Sequence, residues 1–95
     1  MLAELSGSLA EALGKPERYV MVTFRHTPDM LFGGSDKPLA YLELKSLGLP
    51  EDRTSEISAF LCGFMETHFQ VPASRVYIEM VSPPRHMFGW KGGTF

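Results

Sequence analysis

Leu2, Leu5, Leu9 and Leu13 recur at steps of three and four, while Glu4, Ser8 and Glu11 fall mostly off that line. The pattern predicts an amphipathic helix at the start of the chain. Gly14 and Pro16 end it, since glycine suits the left-handed cap position and proline cannot continue a helix. YVMVTF (19–24) is β-branched and aromatic and predicts a strand over about 19–26. HTPDMLFGGSDKP (26–38) reads as loop. Over 39–48, Tyr41, Glu43 and Lys45 alternate with Leu42, Leu44 and Ser46, which predicts a second strand. LPEDRTSE then reads as the opening of a helix, its acidic residues suiting the positive end of the dipole. Ile57, Phe60, Leu61, Phe64, Met65, His68 and Phe69 follow at helical spacing until Val71-Pro72 breaks the run. RVYIEMV (75–81) predicts a third strand. The turn-rich tail ends in aromatics, with a short strand expected near Met87–Trp90.

Two stretches resemble one another. KPERYVMV (15–22) and VPASRVYI (71–78) each follow a helix, Pro16 to Val20 matches Pro72 to Val76 in spacing, and Val22 matches Ile78. The repeat is helix, Pro-containing turn, strand. Its second copy is preceded by the strand at 39–48, which makes a β-α-β unit. The first copy has no strand ahead of its helix, so the symmetry predicts one before residue 1. A sheet without it holds an open slot, and open strand edges invite aggregation or pairing with another chain.

Composition narrows the class. The chain has 95 residues, 44% hydrophobic and 21% charged. That composition suits one folded domain and not disorder. No apolar run approaches the roughly 20 residues of a membrane-spanning helix, and the first residues carry no signal-type pattern. Net charge is −2 with Lys and Arg scattered singly, so neither nucleic acid nor a membrane is an expected partner. Cys62 is the single cysteine, which rules out an intrachain disulfide and a Cys-rich metal site and fits a reducing compartment. The three histidines show no metal-ligand spacing, and no metal or cofactor is expected. A domain this small often gains stability by oligomerising.

Few residues stand out chemically. Lys15, between a capping Gly and a turn Pro, suits a substrate carboxylate, or is a solvated lysine near a helix C-terminus. Tyr77 suits a ligand hydrogen bond, or packing in its strand. Glu79 points to the same face as Tyr77 and is either an exposed carboxylate or a partner for Lys or Arg. Phe32-Gly33-Gly34-Ser35 lacks the helix and the Lys-Ser/Thr of a phosphate loop and reads as a tight turn approaching other backbone. His68 falls on the apolar helix face, and Cys62 reads as a small buried hydrophobe.

Several strings together carry a resemblance: LGKPERYVMV (13–22), LFGGSDKP (31–38), KSLG (45–48), LCGFMETHFQVPASRVYIEM (61–80) and FGWKGGTF (88–95). In that order, nearly end to end, they resemble the macrophage migration inhibitory factor family of the tautomerase superfamily. The resemblance implies an α+β fold with two pseudo-symmetric β-α-β units, two helices packed on one sheet, and a homotrimer. It also implies that residues 1–95 form one such domain lacking its first strand, the same gap that the repeat predicts.

The implied activity is a keto–enol tautomerase of phenylpyruvate or dopachrome type, acting on a small aromatic 2-oxo acid. The family's general base is an N-terminal proline, a secondary amine absent from this sequence. An α-amino group has a reference pKa of about 7.7–8.0, and an apolar pocket lowers it by disfavouring the charged form. By resemblance, Lys15 pairs with the substrate carboxylate, Leu47 is an apolar pocket residue, and Tyr77 comes from the neighbouring subunit. Glu79 stands where the mammalian cytokine has Asn, Phe95 is a C-terminal aromatic at the pocket, and Tyr19 lies near its mouth. The family's Cys-x-x-Cys pair is replaced by Leu39-Ala40-Tyr41-Leu42, so thiol–disulfide activity is not implied. The alternative is a cytokine-like or ligand-binding homologue without catalysis. The expected location is the cytoplasm, or outside the cell by a route that needs no signal peptide.

Overall fold

A computed structural model describes residues 1–95. Helix α1 spans Leu2–Leu13 and buries Leu9 and Ala10, with Leu5 and Leu13 packed at the margin of the core. The leucine stripe is therefore its inner face. Gly14 adopts φ 66 and ψ 35. The N–H groups of Gly14 and Lys15 fold back onto the carbonyls of Glu11 and Ala10 at 3.1 and 2.9 Å. Two carbonyls at the end of the helix are thereby satisfied within the chain. Pro16 then starts a 3₁₀ turn, Glu17–Tyr19.

Strand β1 spans Ala40–Lys45, helix α2 Thr54–Phe69 and strand β2 Val76–Val81. β1 and β2 are parallel, with Leu42 opposite Ile78 and Leu44 opposite Met80. Parallel neighbours need a crossover, and α2 supplies it. Leu9 of α1, Leu44 of β1, Leu49, and Ile57 and Leu61 of α2 form the core, flanked by Leu42, Ile78 and Met80. Both helices thus lie on one face of the sheet. The other face presents Tyr41, Glu43 and Lys45 beside Tyr77, Glu79 and Val81. Arg53 links the helix ends, its guanidinium donating to the Ala12 carbonyl at 3.2 Å and to Glu56 at 3.1 Å.

The repeat holds at the level of backbone angles. Gln70 takes φ 55 and ψ 34 where Gly14 takes its left-handed turn. Pro72 opens a second 3₁₀ turn, Ala73–Arg75, and Val76 at φ −120 and ψ 124 matches Val20 at φ −93 and ψ 125. There the copies part. Val76 enters a ladder, but the strand expected over 19–26 does not form. Residues 21–31 make no backbone hydrogen bond, although Val20 still packs against the core. Strand propensity needs a partner to become a strand, and this segment has none in the chain.

Three smaller expectations are also revised. The tail strand is confined to β3, Gly89–Trp90, paired antiparallel with β4, Gly93–Thr94, because the 3₁₀ turn Arg85–Met87 occupies the residues before it. Cys62 is half-buried rather than buried. Gly33 and Gly34 approach no other backbone, since a Cβ at either would meet open space. They are needed for φ of 59 and 76. Those angles close a turn in which Phe32 and Ser35 exchange hydrogen bonds at 3.0 and 3.1 Å.

Candidate functional site

The cap of α1 decides where Lys15 stands. With Gly14 turned left-handed and Pro16 fixing the next bend, the Lys15 side chain reaches the turn after β1 and donates to the Leu47 carbonyl. That turn is itself pinned. The Ser46 N–H donates to the Val81 carbonyl at 3.0 Å, and the Leu49 N–H to Ser82 Oγ at 3.3 Å. Gly48 takes φ 64 to complete it. Lys15 and Leu47, far apart in sequence, are thus brought together, with the ammonium half-buried beside a half-buried aliphatic side chain. Such a group offers a positive charge with donors left over, which suits a carboxylate.

The same turn carries Tyr19 into an aromatic cluster. Its ring meets Trp90 edge-on at 5.8 Å and Phe95 at 6.4 Å. Trp90 and Phe95 stack at 5.7 Å, and Phe88 packs against Phe95 at 5.9 Å. The Arg18 guanidinium lies over Tyr19 at 4.7 Å and the Lys91 ammonium over Trp90 at 5.7 Å. The β3–β4 hairpin is what holds the tryptophan. Lys91 at φ 52 and Gly92 at φ 80 form its two-residue turn, and the Phe95 N–H returns to the Phe88 carbonyl at 3.1 Å. Tyr19 and Phe95 are thus brought together. Trp90 and Phe88 complete their cluster but were not singled out in the sequence. The aromatic ending of the tail and the FGWKGGTF string (88–95) were their signals.

Tyr77 and Glu79 stand elsewhere, on the outer face of the sheet. Tyr77 is 65% exposed, and its ring packs on Phe32 at 4.6 Å. An open apolar groove of about 460 Å³ runs beside it, lined by Met30, Leu31, Phe32, Leu39 and Tyr41. Glu79 lies opposite Glu43 across the ladder and makes no ion pair. Within one chain, neither residue joins Lys15. Next to the two carboxylates, the Tyr41 phenol is raised above its ordinary 10.0, first by desolvation and then by the charges of Glu79 and Glu43. No group of three His, Cys, Asp or Glu side chains comes together to hold a metal ion. No helix is long and apolar enough to cross a membrane. His68 packs on Phe64 at 4.1 Å and approaches Glu4 of α1 at 3.5 Å.

The family model for macrophage migration inhibitory factor matches residues 1–95. The chain belongs to that family. The macrophage migration inhibitory factor of Xenopus tropicalis is 33% identical over 96 residues, covering all of this chain and 84% of that protein. The mouse protein of the same name is 34% identical over 95 residues, covering 99% and 83%. Among solved structures, the homologue from Prochlorococcus marinus superposes with a TM-score of 0.92 at 46% identity, over 99% of this chain and 83% of that one. The Toxoplasma gondii protein superposes with a TM-score of 0.85 at 33% identity, over the same shares. The α+β fold of the macrophage migration inhibitory factor family, with two helices on one side of a sheet, is the fold of this chain.

Proposed function

We propose that this protein is a keto–enol tautomerase of the phenylpyruvate and dopachrome type, acting on a small aromatic 2-oxo acid. The observation that carries the reading is the pairing of Lys15 with the Leu47 turn on a segment that also feeds Tyr19 into the Trp90–Phe95 cluster. The ammonium holds the substrate carboxylate, Leu47 contacts its apolar part, and the aromatics cover its ring. The base is the amine of an N-terminal proline on a strand ahead of Met1. In an apolar pocket that amine is neutral at working pH. It takes a proton from the carbon beside the carbonyl, and the carbonyl oxygen receives a proton in return. One C–H bond breaks and one O–H bond forms, with no net redox change and no cofactor.

Two features favour the added strand and an oligomer. Residues 21–31 lie without backbone partners although the matching segment of the repeat is a paired strand. The chain exposes 6870 Å², against about 5500 Å² for a compact monomer of this mass. Its radius of gyration is 14.5 Å, against about 12 Å for a compact domain. Met21, Leu31 and Met87 stand out into solvent. A homotrimer covers such surface and lets Tyr77, with Glu79 near it, reach the Lys15 site of a neighbouring subunit.

The alternative is a cytokine-like or ligand-binding protein without catalysis. It is favoured by one observation: the only hydrogen-bond partner of the Lys15 ammonium is a backbone carbonyl, and no side-chain base accompanies it. A phenylpyruvate tautomerase assay on the full-length protein separates the readings. Turnover that is abolished when the proline is replaced by glycine supports the enzyme. Background rates from a folded full-length protein support the binding protein.

A further inference from the structure

We infer that Arg75 is a positioning residue: its guanidinium clamps the 32–38 loop and, through Phe32, sets the orientation of the Tyr77 ring. The inference rests on reading Tyr77 as a substrate-facing side chain.

Arg75 is the last residue of the 3₁₀ turn that precedes β2. Its Nε donates to the Pro38 carbonyl at 3.0 Å and Nη1 to the Phe32 carbonyl at 3.1 Å. Nη2 donates to the carbonyls of Ser35 at 2.9 Å and Lys37 at 3.0 Å. Four of the five guanidinium N–H groups are thereby used on one loop. No carboxylate neutralises this cation, as the two ion pairs of the chain involve Arg53 and His68. Charge-assisted hydrogen bonds to carbonyls take that place. They require a planar fork of donors, which a lysine ammonium does not offer.

The loop has little else to hold it. Apart from the Phe32–Ser35 turn, one hydrogen bond from the Lys37 N–H to Ser35 Oγ braces it. No residue from 21 to 39 is fully buried. Ordering such a segment costs backbone entropy that these few contacts must offset. The clamp also fixes a ring. The guanidinium lies over Phe32 at 5.3 Å, and Phe32 packs on Tyr77 at 4.6 Å with an interplanar angle of 37°. Phe32 is the one aromatic side chain against Tyr77, so the Tyr77 phenol is set by the loop and the loop by Arg75.

The test uses the full-length protein and the variants Arg75→Lys, Phe32→Leu, Tyr77→Leu and Arg75→Lys/Tyr77→Leu. In Arg75→Lys, the Phe32 and Ser35 amides are expected to exchange about tenfold faster while those of Leu42 and Leu44 are unchanged. The Tyr77 ring-proton shifts are expected to move towards those in Phe32→Leu. With phenylpyruvate, Arg75→Lys raises KM about fivefold and leaves kcat within about twofold, and adds nothing further in the Tyr77→Leu background. Phe32→Leu reproduces that KM change while keeping the four guanidinium–carbonyl hydrogen bonds, so it carries the test should Arg75→Lys not fold. KM effects of Arg75→Lys and Tyr77→Leu that multiply, or Tyr77 shifts that stay in place in Arg75→Lys, overturn the clamp. If the wild-type protein has no tautomerase activity, the function reading falls, and the exchange rates and ring shifts still decide the clamp.

Discussion

Gly14 and Gln70 hold the same left-handed backbone conformation, φ 66, ψ 35 and φ 55, ψ 34, each at the C-terminus of a helix and two residues ahead of a proline. The internal repeat requires this angle twice, but the chain places glycine at only one of the two positions. An L-residue in that conformation costs about 1–2 kcal/mol, and glycine avoids the cost at about 0.5–1 kcal/mol of extra chain entropy. Gln70→Gly is therefore expected to stabilise the protein by about 0.5–1 kcal/mol, net of the two terms. Gly14→Ala, the reverse exchange, is expected to destabilise it by about 0.5–1 kcal/mol, net of the same two terms. Urea denaturation of both variants checks the pair. A destabilised Gln70→Gly would show that the glutamine side chain outweighs the strain.

The two helices, β1, β2 and the repeat were legible because each is written locally, as leucine spacing, as alternation, or as a Gly or Pro at a joint. The segment over 19–26 was read as a strand for the same local reason and is not one. Val20 and Val22 have the propensity, but a ladder partner is a property of the whole sheet. Lys15 stood out between Gly14 and Pro16, but Leu47 became a candidate only through resemblance, since a hydrogen bond across that much chain leaves no local trace. Tyr77 and Glu79 lie apart from them within one chain, so the resemblance implies a grouping that a single chain does not contain. Arg75 was missed altogether. Its four acceptors are backbone carbonyls of a loop, which leave no mark in the side-chain sequence.

The core is small enough for one side chain to matter. Ile57 is 2% exposed, and its partners come from α1, β1 and the Leu49 turn. It therefore sits in the core shared by α1, β1 and the turn that carries Leu47. Ile57→Ala removes buried methyl groups and leaves a cavity, at a cost of about 2–5 kcal/mol. Chemical denaturation should show a lower midpoint with the slope retained. A loss below about 1 kcal/mol would mean that the helices close over the gap.

The outer face of the sheet predicts an alkaline effect. Desolvation, then Glu79 and Glu43, raise the Tyr41 phenol above 10.0. The folded protein thus holds that proton more tightly than the unfolded chain does. The associated stability is fully present below pH 10 and is lost as pH rises through the folded value. Ultraviolet titration of tyrosinate should show a late phase above 10.0 that disappears in Tyr41→Phe and moves down in Glu79→Gln. A late phase that survives Tyr41→Phe would assign the raised phenol to another tyrosine.

The Lys15 contact separates binding from chemistry. The ammonium already has a partner in the Leu47 carbonyl, so its position is set before substrate arrives. In the proposed reaction its charge meets a carboxylate that is present in both keto and enol forms. An interaction equal in ground and transition states changes KM and leaves kcat alone. In the full-length protein, Lys15→Ala is expected to raise KM for phenylpyruvate about tenfold or more, in line with a lost charge-assisted hydrogen bond of about 1.5–3 kcal/mol. A substrate ester, lacking the carboxylate, should lose little. Equal losses on acid and ester would place Lys15 in support of the Leu47 turn instead of at the ligand. A fall in kcat at unchanged KM would mean that its charge acts on the enolate as it forms.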